Sequence, residues 1–350
     1  MSAESEILFI NFNQDASCIS VGLKDGFRVY TTHPFSKTYH NPIGGICCVQ
    51  MLYCSSLIAL VGNGDTPVFS PRKLHMYNTK TNQPICELNF VTAILSVHMN
   101  RKRAVVVMET KIHIYEISNL KILHTIDTVP NPKGICALSS VTNSYLAYPG
   151  NEPGEVYIFD ALSLRNLSVI TAHKRSLSYM KFNSDGTLLA TASEKGTVIR
   201  VFSVPEAKKS FIFRRGAYPA TVHCINFSED SKLLCASSDT GTVHLFKIDE
   251  STCVKPENQG LFGSYLPGMF SDMIEPWRSF STLKIPSVGV ASLCCFTRDC
   301  EYVVVVAYNG FVYTYKVAEG ESKMVSEHYL LSDTGTTSLV APPTFVDDTS

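Results

Sequence analysis

Two adjacent arginines in the segment Phe213-Arg214-Arg215-Gly216 carry the side chains best suited to binding phosphate or carboxylate. Their guanidinium groups are planar and donate several hydrogen bonds to such anions. Successive side chains of an extended segment point to opposite faces, so the pair would serve two pockets, one on each side. The glycine lets the backbone turn or approach a ligand closely. The bare pair is equally compatible with an ordinary solvated loop.

The composition favours a β protein that does not bind nucleic acid. Only 17% of the residues are charged and 45% are hydrophobic, with many Val, Ile, Tyr and Phe. A formal net charge of -1 gives no general attraction to nucleic acid. There is no metal-ligand spacing, nucleophile elbow or paired-carboxylate motif. We therefore expect a non-enzymatic protein without a catalytic site, metal or cofactor.

The N-terminus and the cysteines both favour a cytoplasmic protein. The first residues are acidic and lack the pattern of a signal peptide, and no run approaches the ~18 apolar residues of a transmembrane helix. Twelve cysteines occur without a C-x-x-C pair, mostly inside apolar strand-like runs. Such cysteines are expected to be buried, reduced thiols.

An internal repeat organises most of the chain. In four segments an aromatic residue is followed three positions later by Asp, and Gly comes eleven positions after that Asp. The repeats at Phe182 and Phe227 are 45 residues apart, within the ~40 to 45 residues of a four-stranded propeller blade. Weaker copies bring the total to seven units, starting near residues 8, 46, 94, 135, 177, 222 and 291. The prediction is an all-β, seven-bladed β-propeller of the WD-repeat type over residues 1–330.

Three further expectations concern the segments around these repeats. Ring closure usually needs the N-terminal strand to complete the last blade, and Ile7-Leu8-Phe9-Ile10 is the natural contributor. Residues 331–350 have the composition of a disordered tail. Residues 250–279 form a long insertion in the sixth unit, whose apolar side chains require a partner unless they pack on the propeller itself. They are Leu261, Phe262, Tyr265, Leu266, Met269, Phe270 and Trp277.

The most specific stretches of the chain resemble the PROPPIN family, WD-repeat propellers that bind phosphoinositides in autophagy. The resemblance rests on residues 191–202, on Phe213-Arg214-Arg215-Gly216 and on residues 235–244, and it extends over roughly residues 5 to 325. It implies a monomeric effector of phosphatidylinositol 3-phosphate and phosphatidylinositol 3,5-bisphosphate. Such a protein recruits autophagy proteins to autophagosomal precursor and endosomal membranes. The alternative is a soluble WD-repeat scaffold that binds only proteins.

The resemblance also implies two binding sites. Site 1 would comprise His173, Thr191, Ser193, Gly196, Thr197, Arg200 and Arg214. Site 2 would comprise Arg215, Gly216, Ser238, Thr242 and His244. The two histidines would make binding depend on pH if they titrate near neutrality. They are also compatible with structural roles within the blades, and the hydroxyls with turn stabilisation.

Two more roles follow from the resemblance. The 250–279 loop would insert into the membrane, where burying one large apolar side chain yields roughly 1.5 to 3 kcal/mol. Arg101 and Arg103 lie in the neighbourhood that the family uses to bind other autophagy proteins, although they are also compatible with an ordinary charged turn.

Overall fold

The computed structural model describes residues 6–140, 143–249, 252–253 and 276–332. Within these ranges every regular element is a β-strand, and the strands form seven sheets. Each sheet is built on an antiparallel meander of four strands. The predicted seven-bladed β-propeller is therefore confirmed. The predicted disordered tail, residues 331–350, lies outside the described residues from residue 333 onward, and most of the predicted loop, residues 250–279, also lies outside them.

Four blades come from the first half of the chain. Their strands are β1 (Ile7–Phe12), β2 (Cys18–Leu23), β3 (Phe27–Thr31) and β4 (Ser36–Asn41); β5 (Ile46–Met51), β6 (Leu57–Gly62), β7 (Lys73–Asn78) and β8 (Gln83–Asn89); β9 (Ser96–Met99), β10 (Arg103–Val107), β11 (Lys111–Glu116) and β12 (Ile122–Asp127); and β13 (Ala137–Leu138), β14 (Tyr145–Pro149), β15 (Glu155–Asp160) and β16 (Arg165–Thr171).

Three blades come from the second half. Their strands are β17 (Leu177–Phe182), β18 (Leu188–Ser193), β19 (Val198–Ser203) and β20 (Lys209–Arg214); β21 (Val222–Phe227), β22 (Leu233–Ser238), β23 (Thr242–Lys247) and β25 (Ser281–Lys284); and β26 (Ser292–Phe296), β27 (Tyr302–Ala307), β28 (Phe311–Lys316) and β30 (Met324–Tyr329). The two-residue strands β24 (Trp277–Arg278) and β29 (Gly320–Glu321) add parallel edges to β20 and β25. The seven first strands begin within two residues of the predicted unit starts.

The repeated Asp and Gly positions form turns, as the spacing predicts. In the fifth blade the Asp185 carboxylate accepts hydrogen bonds from the backbone N–H and the hydroxyl of Thr187, at 3.0 and 2.6 Å. Asp15 accepts the same two bonds from Ser17, and Asp299 accepts from the backbone N–H of Glu301 and from the hydroxyl of Thr297. Because the turn residues satisfy their own polar groups, each repeat closes locally.

The core lies between neighbouring sheets. Strand β10 is buried along its whole length, because both of its faces are covered by adjacent blades. This explains the unbroken apolar runs in the sequence, such as Val303 to Val306, which are all completely buried. All twelve cysteines are free thiols and most are at least partly buried, as expected.

The ring is closed by side-chain packing and not by a shared strand. The prediction that the N-terminal segment completes the last blade is wrong: β1 pairs with β2 in the first blade, and β30 supplies the outer strand of the seventh. Closure instead uses a core in which Ile7 and Ile10 pack with Val304 and Leu330. The Tyr30 hydroxyl also donates to the carbonyl of Leu330. Because β30 already occupies the outer edge of β28, that edge has no place for the N-terminal strand.

No helix in the ranges given above is long and apolar enough to cross a membrane.

Candidate functional site

The sheet of the fifth blade has one apolar face and one partly polar face. Ala192, Ile199 and Phe213 are buried against the sixth blade, in a cluster with Ile225 and Phe246. Because side chains alternate along a strand, the neighbouring residues point the other way, towards the fourth blade. That partly polar face carries Thr191, Ser193, Arg200 and Arg214.

Three site 1 residues are engaged with the protein itself. The Thr191 hydroxyl is fully buried and donates to the carbonyl of Arg200 at 3.1 Å. It therefore accepts the hydrogen bond from His173 Nε2, which lies 3.0 Å away. Arg200 Nη1 donates to the carbonyl of Ala172 at 2.7 Å. These contacts tie the fifth blade to the connection that enters it from the fourth, and they favour the structural role that the sequence left open for His173.

The remaining side chains of site 1 have unused donors. The hydroxyls of Ser193 and Thr197 are only 5% and 7% exposed by residue, yet neither has a hydrogen-bond partner in the part of the chain that the structure describes. Arg214 is half-buried at the end of β20, in register with Val198, the residue after Thr197. Two hydroxyls and one guanidinium are thus available to an anion.

Gly196 has a structural role in the turn between β18 and β19. Its φ is +61°, and a Cβ at this position would lie 1.8 Å from the carbonyl oxygen of Ala220. No other residue type fits such a contact without a backbone shift. Gly216 differs, because its φ lies outside the left-handed region and an added Cβ would meet only the Tyr218 carbonyl, at 4.0 Å. The described turn therefore does not require glycine at position 216.

Arg215 lies on the opposite side of the segment from Arg214. It follows the end of β20 and is 5% exposed. Its Nε donates to the carbonyl of Gly196 at 2.8 Å and its Nη2 to the carbonyl of Tyr218 at 2.5 Å. The positive charge of Arg215 also helps to lower the pKa of His244 in the sixth blade. The two adjacent arginines are therefore directed to different blades, as the alternation of an extended segment predicts.

Site 2 contains a continuous row of hydrogen-bonding side chains. The Ser238 and Thr240 hydroxyls are 2.9 Å apart, as are those of Thr240 and Thr242. His244 then bridges Thr242 and Ser279, with Nε2 and Nδ1 each 3.3 Å from a hydroxyl. Sequence reasoning missed Thr240 and Ser279. The spacing Ser238-x-Thr240-x-Thr242 was a signal for the first, whereas nothing local indicated Ser279, because it follows the long loop.

The PROPPIN family model matches residues 7–331, which is nearly the whole chain. The chain belongs to the PROPPIN family. Autophagy-related protein 18 of Dictyostelium discoideum is 45% identical over 352 residues, covering 93% of this chain and 94% of that protein. Autophagy-related protein 18 of Yarrowia lipolytica is 41% identical, covering 93% and 97%. The resemblance to this autophagy family that the sequence suggested is confirmed.

Solved PROPPIN propellers have the same fold as this PROPPIN. Hsv2 of Kluyveromyces lactis superposes with a TM-score of 0.77 at 21% identity and covers 93% of this chain and 99% of that one. KlAtg21, solved in complex with the coiled coil of AgAtg16, superposes with a TM-score of 0.75 at 28% identity, covering 93% and 99%. The agreement extends over the whole ring of blades.

The long loop of this PROPPIN is attached at both ends to the edge of β20. Cys253 forms a bridge to Phe211, and Trp277 pairs with Phe213 in the parallel strand β24. Trp277 remains 48% exposed. The other residues predicted to insert into membranes, Leu261, Phe262, Tyr265, Leu266, Met269 and Phe270, lie outside the described residues. Both described ends of the segment therefore lie along β20, the strand that ends at Arg214.

Both histidines of the predicted sites are neutral at physiological pH. Burial, with a smaller effect of Arg200, lowers the pKa of His173 to about 3. Burial, with a smaller effect of Arg215, lowers the pKa of His244 to about 4. Titration near neutrality, which the sequence allowed as a source of pH-dependent binding, is therefore not supported. A neutral imidazole has one N–H, and that of His173 is already used in the hydrogen bond to Thr191.

The two arginines predicted to bind partner proteins have different environments. Arg101 is exposed, and its guanidinium lies 4.8 Å from the centre of the Tyr53 ring. Arg103 is 8% exposed; its Nη1 is 2.7 Å from the Glu116 carboxylate, and its Nε donates to the Ala161 carbonyl at 2.7 Å. A partner would have to compete with Glu116 for Arg103, whereas Arg101 is directly accessible.

Proposed function

We propose that this PROPPIN is a peripheral membrane effector that binds phosphatidylinositol 3-phosphate and phosphatidylinositol 3,5-bisphosphate. One head group would occupy each of two pockets, site 1 around Arg214 and site 2 around Arg215. The protein would recruit autophagy proteins to autophagosomal precursor and endosomal membranes. The observation that carries this proposal is the direction of two adjacent arginines towards different blades. Arg214 lies on the face that carries Ser193, and the charge of Arg215 acts on His244, which contacts the Thr242 hydroxyl.

The chemistry of both pockets suits a phosphorylated inositol. Phosphate oxygens accept hydrogen bonds from guanidinium and hydroxyl groups, and bonds to a charged acceptor are the strong class. In site 1 the available donors are Arg214, Ser193 and Thr197. In site 2 the hydroxyl row can reorient towards a phosphate, because each hydroxyl donates or accepts. The net charge of -1 makes this recognition local and not a general attraction to acidic surfaces.

The two pockets and the loop would act together. Both described ends of the 250–279 segment leave from the edge of β20, and Trp277 is half exposed there. Once one head group is bound, the second pocket and the loop meet the same membrane at high effective concentration. The propeller would then stand edge-on to the bilayer, with the fifth and sixth blades towards the lipid.

Liposome co-sedimentation of site variants tests the proposal. Arg214→Thr and Arg215→Thr should each weaken binding to liposomes containing phosphatidylinositol 3-phosphate by about tenfold or more, since charge-assisted hydrogen bonds are worth about 1.5–3 kcal/mol. The double variant should lose binding. Arg165→Thr is the matched control. Arg165 is exposed and begins β16, whereas His173 of site 1 follows the other end of that strand. Full binding by the double variant would refute the pocket assignment.

Folding must be checked separately for the two arginines. Arg215 is buried and donates to two carbonyls, so Arg215→Thr should cost about 1–3 kcal/mol of stability. Arg214 makes no hydrogen bond or ion pair within the described residues, so Arg214→Thr should change stability by less than about 0.5 kcal/mol. Urea unfolding distinguishes the two. If Arg215→Thr fails to fold, Thr242→Val tests site 2 instead. Thr242 is a partly buried strand residue, and valine has nearly the same shape as threonine but lacks the hydroxyl.

Protein recruitment is supported by one solved relative. KlAtg21 was solved in complex with the coiled coil of AgAtg16 and is 28% identical to this chain. We infer that a coiled-coil autophagy protein binds here too. Retention of such a partner by the Arg214→Thr, Arg215→Thr double variant would separate recruitment from lipid binding. A wild-type protein that binds the partner but ignores phosphoinositide liposomes would instead identify the scaffold alternative.

A further inference from the structure

A third arginine lies beside Arg214 on the outer edge of the fifth blade. Strand β24 runs parallel to β20, and its two residues pair Trp277 with Phe213 and Arg278 with Arg214. Paired residues of neighbouring strands place their side chains on the same face of a sheet, about 4.8 Å apart along the hydrogen-bonding direction. Arg278 therefore extends the face that carries Thr191, Ser193, Arg200 and Arg214 by one strand, towards the circumference of the propeller.

No acidic side chain that the structure describes balances the charges of this arginine pair. Arg278 is exposed and Arg214 half-buried, and neither forms an ion pair or a side-chain hydrogen bond within the described residues. Like charges at paired positions of adjacent strands are unfavourable. A stable arrangement of this kind is expected where a ligand supplies the negative charge.

In the neighbouring sixth blade, basic side chains near the outer edge are paired with acidic ones. On the outer edge of the sixth blade, Lys284 forms an ion pair with Glu321 at 2.8 Å. Lys247, on β23 of the same sheet, pairs with Glu319 at 2.7 Å. The parallel strand β29 brings Glu321 to β25, just as β24 brings Arg278 to β20. The added parallel strand thus places an acidic residue, Glu321, on the sixth blade and a second basic residue, Arg278, on the fifth.

We propose that Arg214 and Arg278 form a two-arginine subsite for a second phosphate group at the outer edge of site 1. This inference rests on the proposed function, since it takes site 1 to hold the inositol 3-phosphate. The outer phosphate comes either from the phosphodiester of the same lipid or from an anionic lipid beside it. Both present a phosphate oxyanion on the side of the head group that faces the bilayer, and the edge-on orientation proposed above turns β24 towards that side.

The test compares Arg278→Gln with Arg165→Gln as the matched control. Binding is measured by calorimetry to soluble inositol 1,3-bisphosphate, and by co-sedimentation to liposomes containing phosphatidylinositol 3-phosphate with and without phosphatidylserine. Arg278→Gln should weaken binding about tenfold, as for loss of one charge-assisted hydrogen bond. Arg165→Gln should bind as the wild type does. Thermal unfolding should be unchanged in both, because both side chains are exposed.

The ligands distinguish the two sources of the phosphate. A loss that appears with soluble inositol 1,3-bisphosphate assigns the phosphodiester of the same lipid. A loss that appears only on liposomes with phosphatidylserine assigns the neighbouring lipid. In either case Arg214→Gln combined with Arg278→Gln should lose less than the product of the single losses, because the two groups share one ligand.

Failure of the inference is distinguishable from failure of the proposed function. If the wild type binds 3-phosphoinositide liposomes, Arg214→Gln loses binding and Arg278→Gln binds every ligand normally, the subsite is refuted and site 1 stands. If the wild type binds none of the ligands, the proposed function falls and the subsite falls with it.

Discussion

The imidazole Nε2 of His173 lies 3.0 Å from the hydroxyl of Thr191, and both side chains are almost completely buried. The same hydroxyl donates a hydrogen bond to the carbonyl of Arg200. This chain of two hydrogen bonds joins the connection after β16 to two strands of the fifth blade. It holds the polar face of that blade in place. It requires His173 to be uncharged, because burying a charged imidazole is unfavourable.

We predict that His173 makes the protein less stable as the pH falls below about 6.5. The unfolded chain takes up a proton there, whereas the pKa of the folded residue is lowered to about 3, so acid favours the unfolded state. The limiting slope is about 1.4 kcal/mol per pH unit for one group. Urea unfolding at pH 7 and pH 5 should show a smaller loss in His173→Gln than in the wild type. Equal losses would contradict the assignment.

We predict opposite outcomes for alanine at two glycines of the proposed sites. Gly196→Ala should destabilise the fold by more than about 2 kcal/mol, because its φ is +61° and a Cβ would collide with the Ala220 carbonyl. Gly216→Ala should fold normally, since a Cβ there meets nothing closer than 4.0 Å. If a phosphoinositide approaches the backbone at Gly216, its affinity should fall in this variant. Thermal unfolding and liposome binding measure the two effects, and a large stability loss in Gly216→Ala would be inconsistent with the structure.

We predict that Arg103 matters for stability and Arg101 does not. Arg103→Ala leaves the Ala161 carbonyl and the Glu116 carboxylate without their donor and should cost about 1–3 kcal/mol. Arg101→Ala removes only an exposed contact with the Tyr53 ring, worth about 0.5–1 kcal/mol at most. Chemical unfolding of the two variants checks the difference. Similar losses in both would show that the Glu116 contact contributes little. Loss of a partner in Arg101→Ala at full stability would identify a binding residue.

The repeat pattern was sufficient to predict the blades. Aspartate turns, such as that of Asp185, and apolar strands are local features, so their spacing along the chain shows directly where each unit starts. The opposite orientation of Arg214 and Arg215 was also predictable, because the alternation of side chains is a property of any extended segment.

Ring closure was not predictable in the same way. The outer edge of the seventh blade takes one strand, and the sequence offered Ile7–Ile10 for it, whereas β30 occupies it in the structure. The choice depends on which long-range pairing buries more apolar surface and satisfies more backbone groups. In the structure β30 pairs with β28 at this edge, and Ile7 and Ile10 pack between the first and seventh blades.

The sequence by itself therefore determined the class of fold, the number of blades, the family and the two-sided arginine segment. These rest on periodicity and on short motifs, which are properties of neighbouring residues. Only the tertiary structure decided that His173 and Arg103 are held by the protein itself, that Ser279 reaches His244, and that Arg278 lies beside Arg214. Each of these depends on strands that are far apart in the chain, and no local pattern specifies which distant edge a short strand will join.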